Sequence, residues 1–276
     1  IPVADTDVGQ DHLSPLSSSR ADEIISASLE RAGISGEVHV RGAEGGAAIT
    51  DLLPVVITLN ASTDEDLRLL AERLVESSST ALVAGSAGLS VALADALDLD
   101  RFHRRTSSDD LDQLGRKVLV VTASQRQIVD AQFEMLGSQI DIVHAELSVD
   151  EALAGVTDES IERMIDVAQR VGIVVLRLGK LSTESDLSLD DLLSMANTIV
   201  GNLGAAVRQI TDAAKPDTLV VIGGDTASGV LDACGVSSLD LRGELQPGTV
   251  SGIPVDGTIA DTLLITRAGG FGDENS

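Results

Sequence analysis

At 276 residues the chain has room for one large or two ordinary domains of roughly 100–200 residues each, and 43% hydrophobic against 23% charged residues excludes a disordered chain. Three Phe with no Tyr or Trp leave no aromatic platform for stacking bases or sugar rings, and a formal charge of −25 repels polyanions, so nucleic acid is not an expected partner. A single cysteine, Cys234, excludes a disulfide framework and any cysteine-built metal site.

The chain opens on IPVADTD at Ile1 rather than on a Met, and reads as the continuation of a longer polypeptide. Residues Arg20–Ala32 have helical spacing, Glu37–Val40 form a short strand and Val55–Leu59 a buried one. Asp64–Glu76 is a helix with Leu67, Leu70, Leu74 and Val75 on one face and Thr63 as its cap. Ala81–Ala84 is expected as a strand running into the glycine turn and small-residue helix of GSAGLSVALADAL. The charge-free stretch Ser77–Ala94 is interrupted by Ser and Gly and lacks the roughly 20 apolar residues of a membrane span. No signal peptide is visible, and the single cysteine fits a reducing cytoplasm, where the protein is expected, with no membrane partner. DLDRFHRRTSSDDLDQLGR, residues 98–116, is polar and aperiodic and marks the boundary between domains at 1–108 and 109–276. Its basic cluster, Arg101, Arg104 and Arg105, reads as a solvated linker.

Beyond the boundary, KVLVVTAS is a strand opening onto a helix at Gln127–Leu136. A strand at Ile140–His144, a helix at Ser160–Val171 and a strand at Ile173–Leu178 follow. Leu189–Ala214 is a long helix between Ser188 and Pro216, and Thr218–Ile222 is a fully apolar strand. In the tail, LDLRGELQPGTVSGIP and TIADTLLITRAGGFG alternate and carry turn residues, as short, partly antiparallel strands do. The alternation of strands and helices predicts an α/β fold: two three-layer domains with mainly parallel sheets, the first incomplete, the second with some antiparallel strands.

Three strand-to-loop junctions of the second domain can carry chemistry. After TLVVI, Gly223 and Gly224 permit a tight turn, Asp225 and Thr226 fall at a helix N-terminus, and Gly229 lets that helix approach its neighbours closely. Backbone N–H groups and the positive end of the helix dipole there suit a phosphate. Asp225 would either hold Mg²⁺ against the phosphates or cap the helix. Thr122 and Ser124 lie at the carboxyl end of a strand, where open α/β sheets bind ligands, or serve as an ordinary helix cap. Gly269, Gly270 and Gly272 around Phe271 allow close approach of a flat ligand, or form a flexible tail. In the first domain Gly85, Ser86 and Gly88 resemble a phosphate turn, yet neither GxxxxGK[ST] nor GxGxxG is complete. The histidines (His12, His39, His103, His144) lack metal-ligand spacing, no GxSxG elbow occurs, and Cys234 reads as core.

Together KVLVVTASQRQIVDAQ, VVIGGDTASGVLDACG, RGELQPGTVSG and LLITRAGGFG resemble, in content and order, the four-carbon acid sugar kinases; IPVADTDVGQDHLSPLSSS resembles a segment inside that family's amino-terminal domain. The resemblance implies an ATP-dependent kinase, a transferase of carbohydrate metabolism that phosphorylates a tetronate-type sugar acid. Its carboxy-terminal domain would bind the nucleotide and its amino-terminal domain the sugar acid. Carried over by position, Ser124, Gly223, Gly224, Asp225, Thr226 and Gly269 fall at nucleotide contacts, with Asp225 as Mg²⁺ ligand. Thr122-Ala123-Ser124-Gln125 departs from the family's Gly-Ser-x-Ser-Pro-like run, and Arg267 stands where a lysine is common. An acidic Asp-Asp-x-Thr-Gly-like segment implied for the substrate end, where the catalytic base would sit, has no match here. Arg20, Arg41 or the Arg101–Arg105 cluster would face the anionic substrate, and adenine would rest on aliphatic walls with Phe271 nearby. A homo-oligomer is compatible with this reading, as is a nucleotide-binding module without catalysis.

Overall fold

The computed structural model describes residues 2–6, 9, 15–42, 55–76, 82–99, 115–181 and 188–269. The chain divides into two compact units, Ile1–Arg104 and Arg105–Ser276. The expected boundary at 108/109, the Arg101, Arg104 and Arg105 cluster, and Gly270, Phe271 and Gly272 lie outside the described residues.

In the first unit α1 (Ala21–Arg31) leads into β1 (Glu37–Gly42), which pairs in parallel with β2 (Val55–Asn60) from Glu37↔Val55 to Gly42↔Asn60. Helices α2 (Asp64–Glu76) and α3 (Ala87–Ala96) follow and pack together, with Leu70 and Ala71 buried. Thr63 caps α2 reciprocally: its Oγ1 accepts from the Asp66 N–H (3.1 Å), and Asp66 Oδ2 accepts from the Thr63 N–H (3.0 Å). The strand expected at Ala81–Ala84 does not form over its described residues, and Leu82 is 99% exposed. So short an apolar run holds strand geometry only against a hydrogen-bonded neighbour, and among the described residues β1 and β2 pair only with each other.

The second unit runs β3 (Val118–Thr122), α4 (Gln127–Gln139), β4 (Val143–Leu147), α5 (Val149–Ala154), α6 (Asp158–Arg170), β5 (Ile173–Leu178), α7 (Leu189–Ala214), β6 (Thr218–Ile222), α8 (Gly224–Ala233), β7 (Leu239–Gln246), β8 (Thr249–Pro254) and β9 (Leu263–Arg267). The strands form one seven-stranded sheet in the order β4-β5-β3-β6-β9-β8-β7, parallel from β4 to β9, with β8 and β7 antiparallel.

Side-chain alternation along the central strands supplies both faces. Leu119, Val121, Val174, Leu176, Leu219, Val221 and Leu264 form one core with α5 through α8. Val120, Val175 and Ile222 point the other way, onto Val129 and Phe133 of α4. Helices therefore cover both faces, as runs buried on both sides require. Cys234 is core, 1% exposed, and burial pushes its thiol pKa up.

Three details depart from the sequence reading. Helix α4 continues to Gln139, and β4 starts at Val143 rather than Ile140, because pairing Leu147 beside Leu178 buries Leu147 completely. Helix α6 starts at Asp158, where Thr157 Oγ1 accepts from the Ser160 N–H (3.2 Å). Helix α5 was not anticipated; a capping box of Ser148 and Glu151 starts it.

Candidate functional site

The connection after β3 leads to α4 on one face, while the connection after the adjacent β6 leads to α8 on the other. Two neighbouring parallel strands whose exits part to opposite faces leave a crevice at their carboxyl ends, the place where open α/β sheets take ligands. The predicted junctions lie on its two sides.

Thr122 and Ile222 end β3 and β6 in register. The Thr122 hydroxyl, 2% exposed, donates to the Ile222 carbonyl (3.2 Å) and accepts from the Ser124 N–H (3.1 Å). Thr122 thus ties the strand ends together, while Ser124 is left half-buried at the turn, its Oγ accepting from the Arg126 N–H (3.4 Å). The first residue after β6, Gly223, has φ +108°, a region that disfavours any side chain. Its N–H donates to the Arg267 carbonyl (2.8 Å) at the end of β9. Thr226, 4% exposed, accepts from the Ala123 N–H (3.3 Å) and so fastens α8 to the β3 loop. A Cβ placed on Gly269 would lie 3.1 Å from Ser124 Oγ and 3.7 Å from Gly223 Cα. Ser124, Gly223 and Gly269, 145 positions apart at the extremes, therefore meet.

Gly224 and Asp225 are exposed in the first turn of α8. A Cβ on Gly224 would face open space. The first intrahelical bond joins the Ala227 N–H to the Gly223 carbonyl (2.9 Å), so the N–H groups of Gly224, Asp225 and Thr226 are the open donors of the helix start. Among the described residues the Asp225 carboxylate makes no hydrogen bond or ion pair, which leaves it open to a cation, and no group of three or more His, Cys, Asp or Glu gathers elsewhere. One carboxylate beside phosphate oxygens and water is an ordinary Mg²⁺ donor set.

Cations gather at this end of the sheet. Arg267, whose pKa burial lowers, ends β9. Arg177 of β5 reaches Asp130 Oδ1 through Nη2 (2.5 Å), and Lys180 pairs with the other oxygen of Asp130. Burial alone would raise the Asp130 pKa; the hydrogen bonds from Lys180 and Arg177 outweigh it and hold the carboxyl below its usual value. Neither Asp130, Arg177, Lys180 nor the side chain of Gln125 was singled out from the sequence. The available signal was Arg177 inside the otherwise apolar IVVLRL and one of only three lysines, Lys180, one glycine beyond it. Of the cations named for the substrate, Arg20 pairs with Asp22 (2.8 Å) and Glu23 (3.0 Å) on the surface of the first unit. The Arg41 side chain and the 101–105 cluster lie outside the described residues.

Residues 119–276 match the family model described as a nucleotide-binding C-terminal domain. The chain belongs to that family. Alongside this nucleotide-binding domain match, the whole chain is similar to two curated D-threonate kinases. That of Salmonella typhimurium is 26% identical over 300 residues, covering 100% of this chain and 66% of the kinase. That of Bordetella bronchiseptica is 27% identical over 278 residues, covering 99% and 62%. The chain thus spans about two thirds of the length of these relatives. The resemblance to the four-carbon acid sugar kinases, drawn from motifs, is borne out at this level. In fold, a Salmonella typhimurium structure described as a putative tRNA synthase superposes with a TM-score of 0.66 at 17% identity, over 99% of this chain and 65% of that one. A Haemophilus influenzae protein does so with a TM-score of 0.57 at 16%, over 99% and 66%. These two likenesses concern the fold alone. Among the described residues no helix is long and apolar enough to cross a membrane.

Proposed function

We propose that this chain supplies the nucleotide-binding part of an ATP-dependent kinase that phosphorylates a four-carbon sugar acid. Residues 109–276 are the nucleotide half and 1–108 the rear part of the sugar-acid half, acting in the cytoplasm. The observation that carries the reading is the meeting of Ser124, Gly223 and Gly269 beside the open N-terminus of α8, at the crevice between β3 and β6. The nucleotide-binding family match and the similarity to curated D-threonate kinases support it.

Phosphoryl transfer is mostly positioning and charge neutralisation. The open N–H groups of Gly224, Asp225 and Thr226 bind the phosphate tail, helped by the helix dipole. Gly224 lets the phosphate approach backbone, since no side chain fills the space above it. Ser124 and Gly269 position the nucleotide across the crevice, and Asp225 holds Mg²⁺. When bound, that ion neutralises charge on the phosphate oxygens.

The test is ADP release with a panel of tetronates on the full-length protein, and ATP binding by calorimetry, each repeated on the Asp225→Ala and Gly224→Val variants. Loss of turnover and weaker ATP binding in both variants supports the site; unchanged nucleotide affinity and turnover in both overturns it. Because the chain spans only 66% and 62% of the two kinases, a second reading is a nucleotide-binding module. It predicts ADP binding by calorimetry with no transfer to any sugar acid.

A further inference from the structure

The Gln125 side chain makes three hydrogen bonds at the crevice. Its Nε2 donates to the Gly179 carbonyl (3.2 Å) and, at greater length, to its neighbour Ala123 (3.4 Å), while its Oε1 accepts from the Leu181 N–H (3.0 Å). Strands β3 and β5 are paired with Thr122 opposite Arg177, so their continuations run side by side past the end of the sheet. The amide of Gln125 grips the second continuation on both sides of Lys180, and Leu147 grips it again by accepting from the Gly179 N–H (2.8 Å). The backbone of Lys180 is therefore fixed beside the Ser124 turn.

The location of that lysine is selective. Of the three lysines, Lys117 precedes β3 and Lys215 precedes β6, both at the opposite end of the sheet. Only Lys180 lies at the carboxyl end. Its ammonium shares Asp130 with Arg177, so the trio carries one surplus positive charge. Lys180 is the exposed member, with 55% of its side chain accessible against 20% for Arg177. An ion pair so exposed contributes little, and the ammonium can turn from Asp130 to an anion while Arg177 keeps Asp130 neutralised. In a chain of charge −25, an anionic ligand needs such a local cation.

We propose that Gln125 is a positioning residue that clamps the Gly179–Leu181 segment to the Ser124 turn and thereby holds Lys180 as a phosphate-neutralising cation at the rim of the nucleotide site. This rests on the nucleotide reading given above. It predicts an effect confined to the phosphates. In calorimetric titrations of the full chain, Lys180→Met and Gln125→Ala each weaken ADP roughly tenfold, the weight of one charge-assisted hydrogen bond, and leave adenosine within about twofold. In the double variant the losses do not multiply, because Gln125 acts through Lys180. Equal weakening of ADP and adenosine by Gln125→Ala, or multiplying losses, overturns the proposal. Lys180→Met changes an exposed side chain and keeps the test open if Gln125→Ala fails to fold; ADP binding unchanged by it also overturns the proposal. Gly224→Val is the separate control. If the unmodified chain fails to bind ADP, or binds it equally well with Gly224→Val, the nucleotide site itself is wrong and the proposal falls with it; if Gly224→Val abolishes binding while Gln125→Ala and Lys180→Met do nothing, only the clamp is wrong.

Discussion

Gly223 and Gly224 are adjacent, yet the fold needs them for different reasons. Gly223 sits at φ +108°, and a Cβ there would also come within 3.2 Å of Thr226 Oγ1. Gly223→Ala is therefore expected to lower stability by about 1–3 kcal/mol, measured as a shift in the urea midpoint at constant slope. Gly224 has no such constraint and faces open space. Gly224→Val should leave the unfolding free energy within about 1 kcal/mol, the size of a helix-propensity change, while removing most ADP affinity. If both substitutions destabilise equally, the space above Gly224 is not available to a ligand. Thr226 is the structural counterpart: Thr226→Val keeps the shape but strips the acceptor from the Ala123 N–H, for an expected loss of about 1–3 kcal/mol. Urea unfolding reads that loss directly.

At the scale of elements, the glycine turn works only because α8 lies close against α7. A Cβ on Gly229 would meet Val200 Cγ1 at 2.3 Å and the Val200 carbonyl at 2.7 Å, and one on Gly204 would meet the Gly229 carbonyl at 2.3 Å. Gly229→Ala is expected to cost about 1–3 kcal/mol through overpacking and, by displacing the start of α8, to weaken ADP as well; a stable protein with normal ADP affinity would refute the close crossing. A second prediction concerns the start of α5. Glu151 accepts from the hydroxyls of Ser160 (2.6 Å) and Ser148 (2.9 Å), the first contributing most to holding its pKa below 4.5. Stability from a depressed carboxyl is complete above the unfolded value and is lost as pH falls through the folded one. The gap in stability between the unmodified chain and Glu151→Gln should thus be constant near neutrality and shrink below pH 4.5; a gap independent of pH removes the linkage. These elements also show what a sequence discloses. The Ser188 cap, the Pro216 stop, the apolar strands and the tight approach at Gly229 were legible because each is a local rule. The α5 capping box was equally local, spelled Ser148-x-x-Glu151, and was passed over. The start of β4 was not local, since burial of Leu147 beside Leu178 decides it. Within the site, Ser124, Gly223 and Gly269 could be named from their turns. Gln125 and Lys180 could not, because their partnership exists only through the pairing of β5 with β3.

At the scale of the whole molecule, a charge of −25 opposes the approach of any nucleotide, while on the proposed reading the open N–H groups of α8 and Lys180 attract it at short range. The two effects respond differently to salt. At about 0.01 M ionic strength the Debye length is roughly 30 Å, so carboxylates across the surface act on the incoming phosphates; near 0.15 M it falls to about 8 Å, and distant carboxylates drop out while contacts inside the crevice are screened much less. The association rate of ADP should therefore rise with salt over this range, and the dissociation rate should change less, so that affinity increases. This is the opposite of the salt dependence of a site embedded in a basic surface. Stopped-flow measurement of both rates decides it. An association rate that falls with salt would mean that the local cations, and not the acidic surface, govern the field through which the nucleotide arrives. Lys180→Met should then separate the two contributions: it removes the short-range attraction and raises the dissociation rate, yet leaves the salt-driven rise in association in place, because that rise comes from carboxylates the substitution does not touch.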